Sequence, residues 1–423
     1  MHIIFLYADQ ANEWNCSQWR SLTPSDAINA EHEAGRTSLT AQCFQLPSAI
    51  DWHNPLVQRA LGLGDVLIFQ RNVIIPEIWE AMDYWRALGK VVAIDLDDHY
   101  PGLIPSISAF DYWIRNAANL PQHPIDALEE GMRHADALIS PSKVILEDWA
   151  HVVPGYWVPN WPRGKWYAEL DQRPIGAPYD LIVESQAKGD AIVRERLNSA
   201  GWIVLGWGGS LSHVDSWLES GIIPALDNIF TDFPQARLKF CGHEDRLDDL
   251  VFKRWGDAAT GGRVIKQDGV KPEDWPLVIS TFDIGLAPLD TRPIDPPWRP
   301  GGPVAAYDER RSWLKAAEYL CAGVPYAASK SRTYEDLNGR GHMVINGAAN
   351  WTATLRGMVR DLAEEKRAAW HMRKWALQKL TFEGNVNRYG DIMGRMQAMK
   401  ITAKKVHLPG IAYVKPKPVE VGT

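Results

Sequence analysis

The chain has 423 residues, 46% of them apolar and 23% charged, with a formal net charge of −7. That length predicts two or three domains, and that balance is the one of an ordinary globular protein rather than a disordered one. The negative charge gives no general pull towards nucleic acid or anionic membrane, and Cys16, Cys43, Cys241 and Cys321 stand too far apart for a zinc motif or a disulfide framework.

The apolar run at residues 2–7 reads as a buried first strand with a polar end at Asp9. It is too short for the core of a secretion signal, and no stretch reaches the ~18 apolar residues of a membrane span, so the expectation is a soluble, cytoplasmic protein. A helix follows over 24–34, with Ser25 or Asp26 as its cap, then a buried strand over 65–70 that runs into Arg71. Next come a helix (76–88), a strand (91–96) ending on Asp95-Leu96-Asp97-Asp98-His99, a strand (135–140), a helix (141–150) and a short strand (155–159) closed by Asn160. Strands alternating with helices predict a parallel, doubly wound α/β sheet.

The alternation lapses over 164–200, which reads as a linker with a helix over 188–199, and then restarts. A strand over 202–206 leads into Trp207-Gly208-Gly209-Ser210, a helix starts near Val214, and further strands cover 236–242 and 263–265. Residues 282–289 read as a strand, followed by a Pro/Gly-rich loop and a helix over 308–322. Asp308 is that helix's expected cap, Gly323 its left-handed end and Pro325 its stop. A strand after Pro325, another over 343–345, an amphipathic run over 351–380 and a helix over 382–399 complete the order. The domains expected are 1–163, a linker at 164–200, a second domain at 201–380, a helix at 381–400 and a tail at 401–423. Ligands belong in the crevice between the strand carboxyl ends of two Rossmann-like halves.

The charges on the 308–322 helix run against its dipole: Arg310, Arg311 and Lys315 lie in its N-terminal half and Glu318 in its C-terminal half. A solvated charged face is the plain account. Cations at a helix start just beyond a strand end also form a phosphate cradle, and a carboxylate one turn deeper suits ribose hydroxyls. Gly208-Gly209-Ser210 reads either as a tight turn or as a backbone that approaches a phosphate, with His213 in reach of a phosphate or sugar hydroxyl. Ser210, His213 and Asp215 are too close in sequence to be taken for a catalytic triad. Asp95, Asp97, Asp98 and His99 crowd one strand end and require a cation, an arginine or substrate hydroxyls beside them; Asp97, Asp98 or His99 is the candidate proton acceptor. Arg71 and Asn160 occupy similar strand-end positions, Cys321 reads as packing, and a few of the 20 tryptophans are candidate stacking platforms.

The two-half plan, the Gly206–Ser210 turn, the FDIGLAPL strand and above all YDERRSWLKAAEYLCAGVPYAAS resemble GT-B glycosyltransferases of the retaining "group 1" type, over most of residues 1–400. Bacterial and phage members carry Phe-Asn, then Lys-Ser, then a lysine and a glutamate, where this chain has Tyr307-Asp308, Arg311-Ser312, Lys315 and Glu318. The resemblance implies that Glu318 holds the donor's ribose, and that Arg311, Ser312 and Lys315 with the Gly208–Ser210 turn hold the diphosphate. It also implies that the loops after Gly242 and Ile265 lie near the base, and that Arg71, Asp97 and Asp98 belong to the acceptor side. Arg310 stands where the family's first paired glutamate is expected, and Arg311 replaces lysine, which changes the donor geometry.

The activity implied is sugar transfer from a nucleotide diphosphate-sugar, a UDP or GDP sugar among them, to a glycan or other hydroxyl acceptor, with retention and with neither a cofactor nor a metal ion required. A nucleic acid acceptor is disfavoured by the charge. A sugar-nucleotide epimerase or hydrolase, a phage-type DNA-modifying glucosyltransferase and a non-catalytic nucleotide-sugar binder are the rival readings.

Overall fold

In the computed structural model, which describes every residue except 10–14, 108, 173–178, 185–191, 198–200, 210, 243–244, 257–261, 294–306 and 407–423, the first half is built on six parallel strands. They are β1 (His2–Tyr7), β2 (Thr40–Gln45), β3 (Val66–Gln70), β4 (Val91–Asp95), β5 (Ala137–Ser140) and β6 (Gly155–Trp157), in spatial order β2-β1-β3-β4-β5-β6. Side chains alternate between the faces of a strand, and β1 is buried on both. Ile3 and Phe5 join one core cluster and Ile4 and Leu6 another. Thr40–Gln45, with its polar Gln42 and Gln45, gives little apolar signal; it forms a strand because it sits at the sheet edge, paired only to β1 and partly exposed.

Between the two sheets, β7 (Tyr179–Glu184) and β8 (Ile192–Leu197) form an antiparallel pair. The helix expected over 188–199 is thus replaced, in its described part, by a strand, in keeping with the β preference of Ile192-Val193 and, on the partner strand, of Leu181-Ile182-Val183.

The second sheet also has six parallel strands: β9 (Ile203–Gly208), β10 (Ala236–Cys241), β11 (Val264–Gln267), β12 (Ile284–Ala287), β13 (Tyr326–Ser329) and β14 (His342–Val344), in order β11-β10-β9-β12-β13-β14. Strand order reverses between β1 and β3 in the first sheet and between β9 and β12 in the second, and carboxyl ends at such reversals open crevices. The amphipathic run expected over 351–380 is two helices, Ala348–Arg360 and Leu362–Lys379, because the first packs on the helix Ile222–Asp232 and the second on Leu314–Ala322.

The last helix, Phe382–Val406, returns to the first half. Phe382, Val386, Tyr389, Met393 and Met396 recur at helical spacing and are buried in the same cluster as Ile3 and Phe5. Two ion pairs fasten it: Glu383 to Arg163 at 2.9 Å and Lys400 to Asp136 at 2.8 Å.

Candidate functional site

The helix that carries the candidate cations begins later than its sequence suggests. Tyr307–Arg310 is a 3₁₀ turn and the α-helix spans Leu314–Ala322, so Asp308 does not cap it. The Ser312 hydroxyl does that work, accepting from the Leu314 N–H at 3.1 Å, and Gly323 ends the helix at φ 71°, as expected. Ser312 also accepts from Asn160 Nδ2 of the first half at 3.2 Å.

Lys315 and Arg311 converge on the turn after β9. Lys315 Nζ donates to the Gly208 carbonyl and lies 5.4 Å from the Trp207 ring centroid; Arg311 Nη2 donates to the Ser212 carbonyl. Burial pulls Lys315 down to about 8, opposed by Glu318 and reinforced by Arg311. One turn on, Glu318 is 4% exposed, with Oε1 making no hydrogen bond. Burial pushes it up to about 7, against the pull of Lys315 and then of Trp275 and Tyr167. Both members of this pair are therefore displaced towards neutrality by loss of water.

The glycines of the turn are required by packing within the protein. A Cβ on Gly208 would lie 2.2 Å from the Trp275 ring, and one on Gly209 would lie 2.5 Å from Trp207. Ser210 is outside the described residues. His213 is buried, and burial, then Arg311 and Lys315, keep it well below its ordinary value and hence neutral. Its Nδ1 meets Ser216 Oγ at 3.3 Å, and Ser216 donates to Asp308 Oδ2 at 2.5 Å. The serine hydroxyl is spent on a carboxylate in this arrangement, so these residues make no nucleophile.

The acid-rich end of β4 divides between two environments. Asp95 belongs to the interior and not to the cleft wall: it pairs with Arg20 at 2.8 Å, both nearly fully buried, and burial raises its carboxyl to about 6. Arg20 also donates to the Val158 carbonyl and to Asn160 Oδ1, each at 2.8 Å. Asp97 and Asp98 stay half-buried, and Asp98 accepts the Tyr307 hydroxyl of the second half at 2.7 Å. Cys16, at the start of the helical segment that follows β1, joins them: its sulfur and a carboxylate oxygen of each lie within 4.8 Å of one another. Burial, then the two acids, push the Cys16 thiol up, so it stays protonated beside Asp97. Arg71 leaves β3 in the left-handed region at φ 38° and pairs with Asp9; its charge and that of Arg311 partly offset the rise that burial and Asp97 impose on Asp98.

Arg310 and His99 meet at a third place. Arg310 is 5% exposed and grips Asp148 of the first half through Nε at 2.6 Å and Nη2 at 3.0 Å. His99 Nε2 approaches the same carboxylate at 3.3 Å, and burial, then Arg310, hold the imidazole well below its ordinary value. Arg310 therefore binds across the cleft and His99 meets the same carboxylate within the first half, so neither stands beside Lys315 or Asp97. Neither Asp148 nor Cys16 stands out in the sequence, since each is a lone residue whose partners lie far along the chain.

Two parallel doubly wound sheets facing each other, with a final helix crossing back, are the GT-B architecture. No family model and no curated protein matches the sequence. Solved structures match the fold: HepE of Anabaena, in complex with UDP and glucose, is 13% identical, with a TM-score of 0.52 over 96% of this chain and 100% of that chain. The sucrose-phosphate synthase of Thermosynechococcus elongatus is 12% identical, with a TM-score of 0.58 over 94% of this chain and 99% of that one.

Proposed function

We propose that the protein is a glycosyltransferase that moves a sugar from a nucleotide diphosphate-sugar to a hydroxyl acceptor with retention of the anomeric configuration. The observation that carries this reading is the convergence of Lys315 and Arg311 on the Gly208–Ser212 turn, where a helix start adds its own dipole. The two cations and the turn hold the diphosphate, and Glu318 receives the ribose hydroxyls. The same charges stabilise the diphosphate as the glycosidic bond breaks, so no metal ion is needed.

The buried state of Lys315 suits this task. With its Nζ on a carbonyl and its charge poorly solvated, it gains a full counter-charge when a diphosphate arrives. In this reading Asp97 and Asp98, half-buried past the end of β4, hold the acceptor hydroxyl, with Arg71 offsetting part of their charge. The GT-B fold, shared with a HepE structure that holds UDP and glucose, supports the reading. A nucleotide-sugar epimerase would use the same donor site without an acceptor.

The test is turnover of a panel of UDP-, GDP-, ADP- and dTDP-sugars with and without simple glycan acceptors. Release of the nucleotide that depends on an acceptor supports transfer; release or epimerisation of donor alone moves the assignment to the epimerase or hydrolase class. Absence of any nucleotide binding overturns it.

A further inference from the structure

Asp308 was expected to cap a helix, and the structure gives its carboxylate another use. It is 4% exposed, in the turn before the helix Leu314–Ala322, and its two oxygens serve opposite sides. Oδ2 accepts from Ser216 Oγ at 2.5 Å and from the Asp290 N–H at 2.8 Å, which fixes it to the helix Val214–Glu219 and to the loop after β12. Oδ1 accepts from Arg311 Nε at 2.5 Å. The Asp308 carbonyl receives Thr333 Oγ1 at 2.9 Å, so the backbone of the turn is held as well.

An arginine with four rotatable bonds has no fixed direction of its own. Arg311 acquires one from three contacts: Asp308 on Nε, the Ser212 carbonyl on Nη2, and the Tyr307 ring, whose centroid lies 5.0 Å from the guanidinium carbon. Only Asp308 is charged among them. The guanidinium is thereby held over the same turn that Lys315 reaches, with Asp308 anchored from behind by groups that do not touch Arg311.

We infer that Asp308 is a positioning residue that fixes the Arg311 guanidinium for the leaving diphosphate, a role that rests on the donor-site reading above. The carboxylate is neither acid nor base here. It sets the direction of a cation, and the Ser216 hydroxyl and Asp290 N–H set the direction of the carboxylate.

Asp308→Asn separates the two sides. Two donors already converge on Oδ2, so the amide oxygen takes that place and the amide NH₂ faces Arg311 Nε, donor against donor. The anchor survives and the arginine is released. UDP affinity, measured by calorimetry on the full chain, is expected to fall at least about tenfold in this variant, the loss of one charge-assisted bond. Arg311→Gln should fall as far, and the double variant no further than Arg311→Gln alone, because both remove one device. Additive losses would overturn the inference. Arg311→Lys keeps the charge, lacks the Nε donor and leaves Asp308 untouched, so it serves if Asp308→Asn does not fold. It is expected to bind about as weakly as Arg311→Gln, and wild-type affinity would contradict the role.

A nucleotide-free arm keeps the two readings apart. The Arg311 Nε–H resonance, assigned by its disappearance in Arg311→Gln, is expected to shift and broaden in Asp308→Asn and to move less in Ser216→Ala, where the Asp290 N–H still holds Oδ2. An unmoved resonance in Asp308→Asn sinks the inference whatever binds. Absence of UDP, GDP, ADP and dTDP binding by the unaltered protein refutes the donor reading instead, while the resonance still decides whether Asp308 orients Arg311.

Discussion

Arg310→Ala should loosen the protein without touching the donor site. The guanidinium makes two bonds to Asp148, at 2.6 and 3.0 Å, across the two halves. Breaking a buried pair by removing one partner costs roughly 3–5 kcal/mol. Asp148 is 24% exposed and regains some water, which brings the expected loss to about 2 kcal/mol. A loss of that size lowers the melting temperature by about 4–8 °C for a unit of this length. His99 adds a pH signature. Its folded value lies well below the ordinary one, through burial and then Arg310, so the folded protein excludes a proton that the unfolded chain accepts. Wild-type stability therefore falls as pH drops below about 6.5. Without Arg310 one cause of that depression is gone, and a protonated His99 can pair with Asp148. The gap between variant and wild type should narrow from about pH 7.5 to about pH 5.5. Thermal unfolding at both values reads this directly. A variant that melts with the wild type at neutral pH, or a gap that widens on acidification, would refute the reasoning.

Three further outcomes are expected. The profile of kcat/KM should be a narrow bell, rising through about 7 as Glu318 ionises and falling above about 8 as Lys315 loses its proton; a flat profile from pH 6 to pH 9, spanning both groups by about a unit each side, would remove this pair from the donor site. Gly208→Ala places a Cβ 2.2 Å from the Trp275 ring and should cost about 1–3 kcal/mol by overpacking, with weakened nucleotide binding; unchanged melting and binding would show that the ring moves aside freely. Lys366→Met removes the ammonium paired at 2.8 Å with the fully buried Asp283, and should lower stability by about 3 kcal/mol in chemical denaturation while nucleotide affinity holds at low temperature.

Much of the fold was legible because its strands are short apolar runs. VLIFQ and VVAID carry their burial in their composition, and each falls where it was expected. The edge strand Thr40–Gln45 was not, since only one neighbour pairs with it and Ala41 alone of its six residues is buried. Between Tyr307 and Leu314 the sequence shows a helix-compatible string, but Asp308 spends its oxygens on Ser216, Asp290 and Arg311, and Arg310 is drawn away to Asp148. Those partners are far along the chain, so no local pattern reports them. The same holds for Asp95, which looks like one acid among several until Arg20 is found beside it in the interior. Lys315 and Glu318 were legible as a pair on one helical face, and their mutual burial was not.

The most direct test of the donor site is a calorimetric titration of UDP, then of GDP, ADP and dTDP, into the wild-type chain and into Lys315→Ala. The account predicts saturable binding of one nucleotide by the wild type and a loss of at least about tenfold in Lys315→Ala, with the melting temperature of the free protein preserved. Equal affinity in the two proteins would contradict the placement of the diphosphate on Lys315, and no binding by the wild type would contradict the donor site itself.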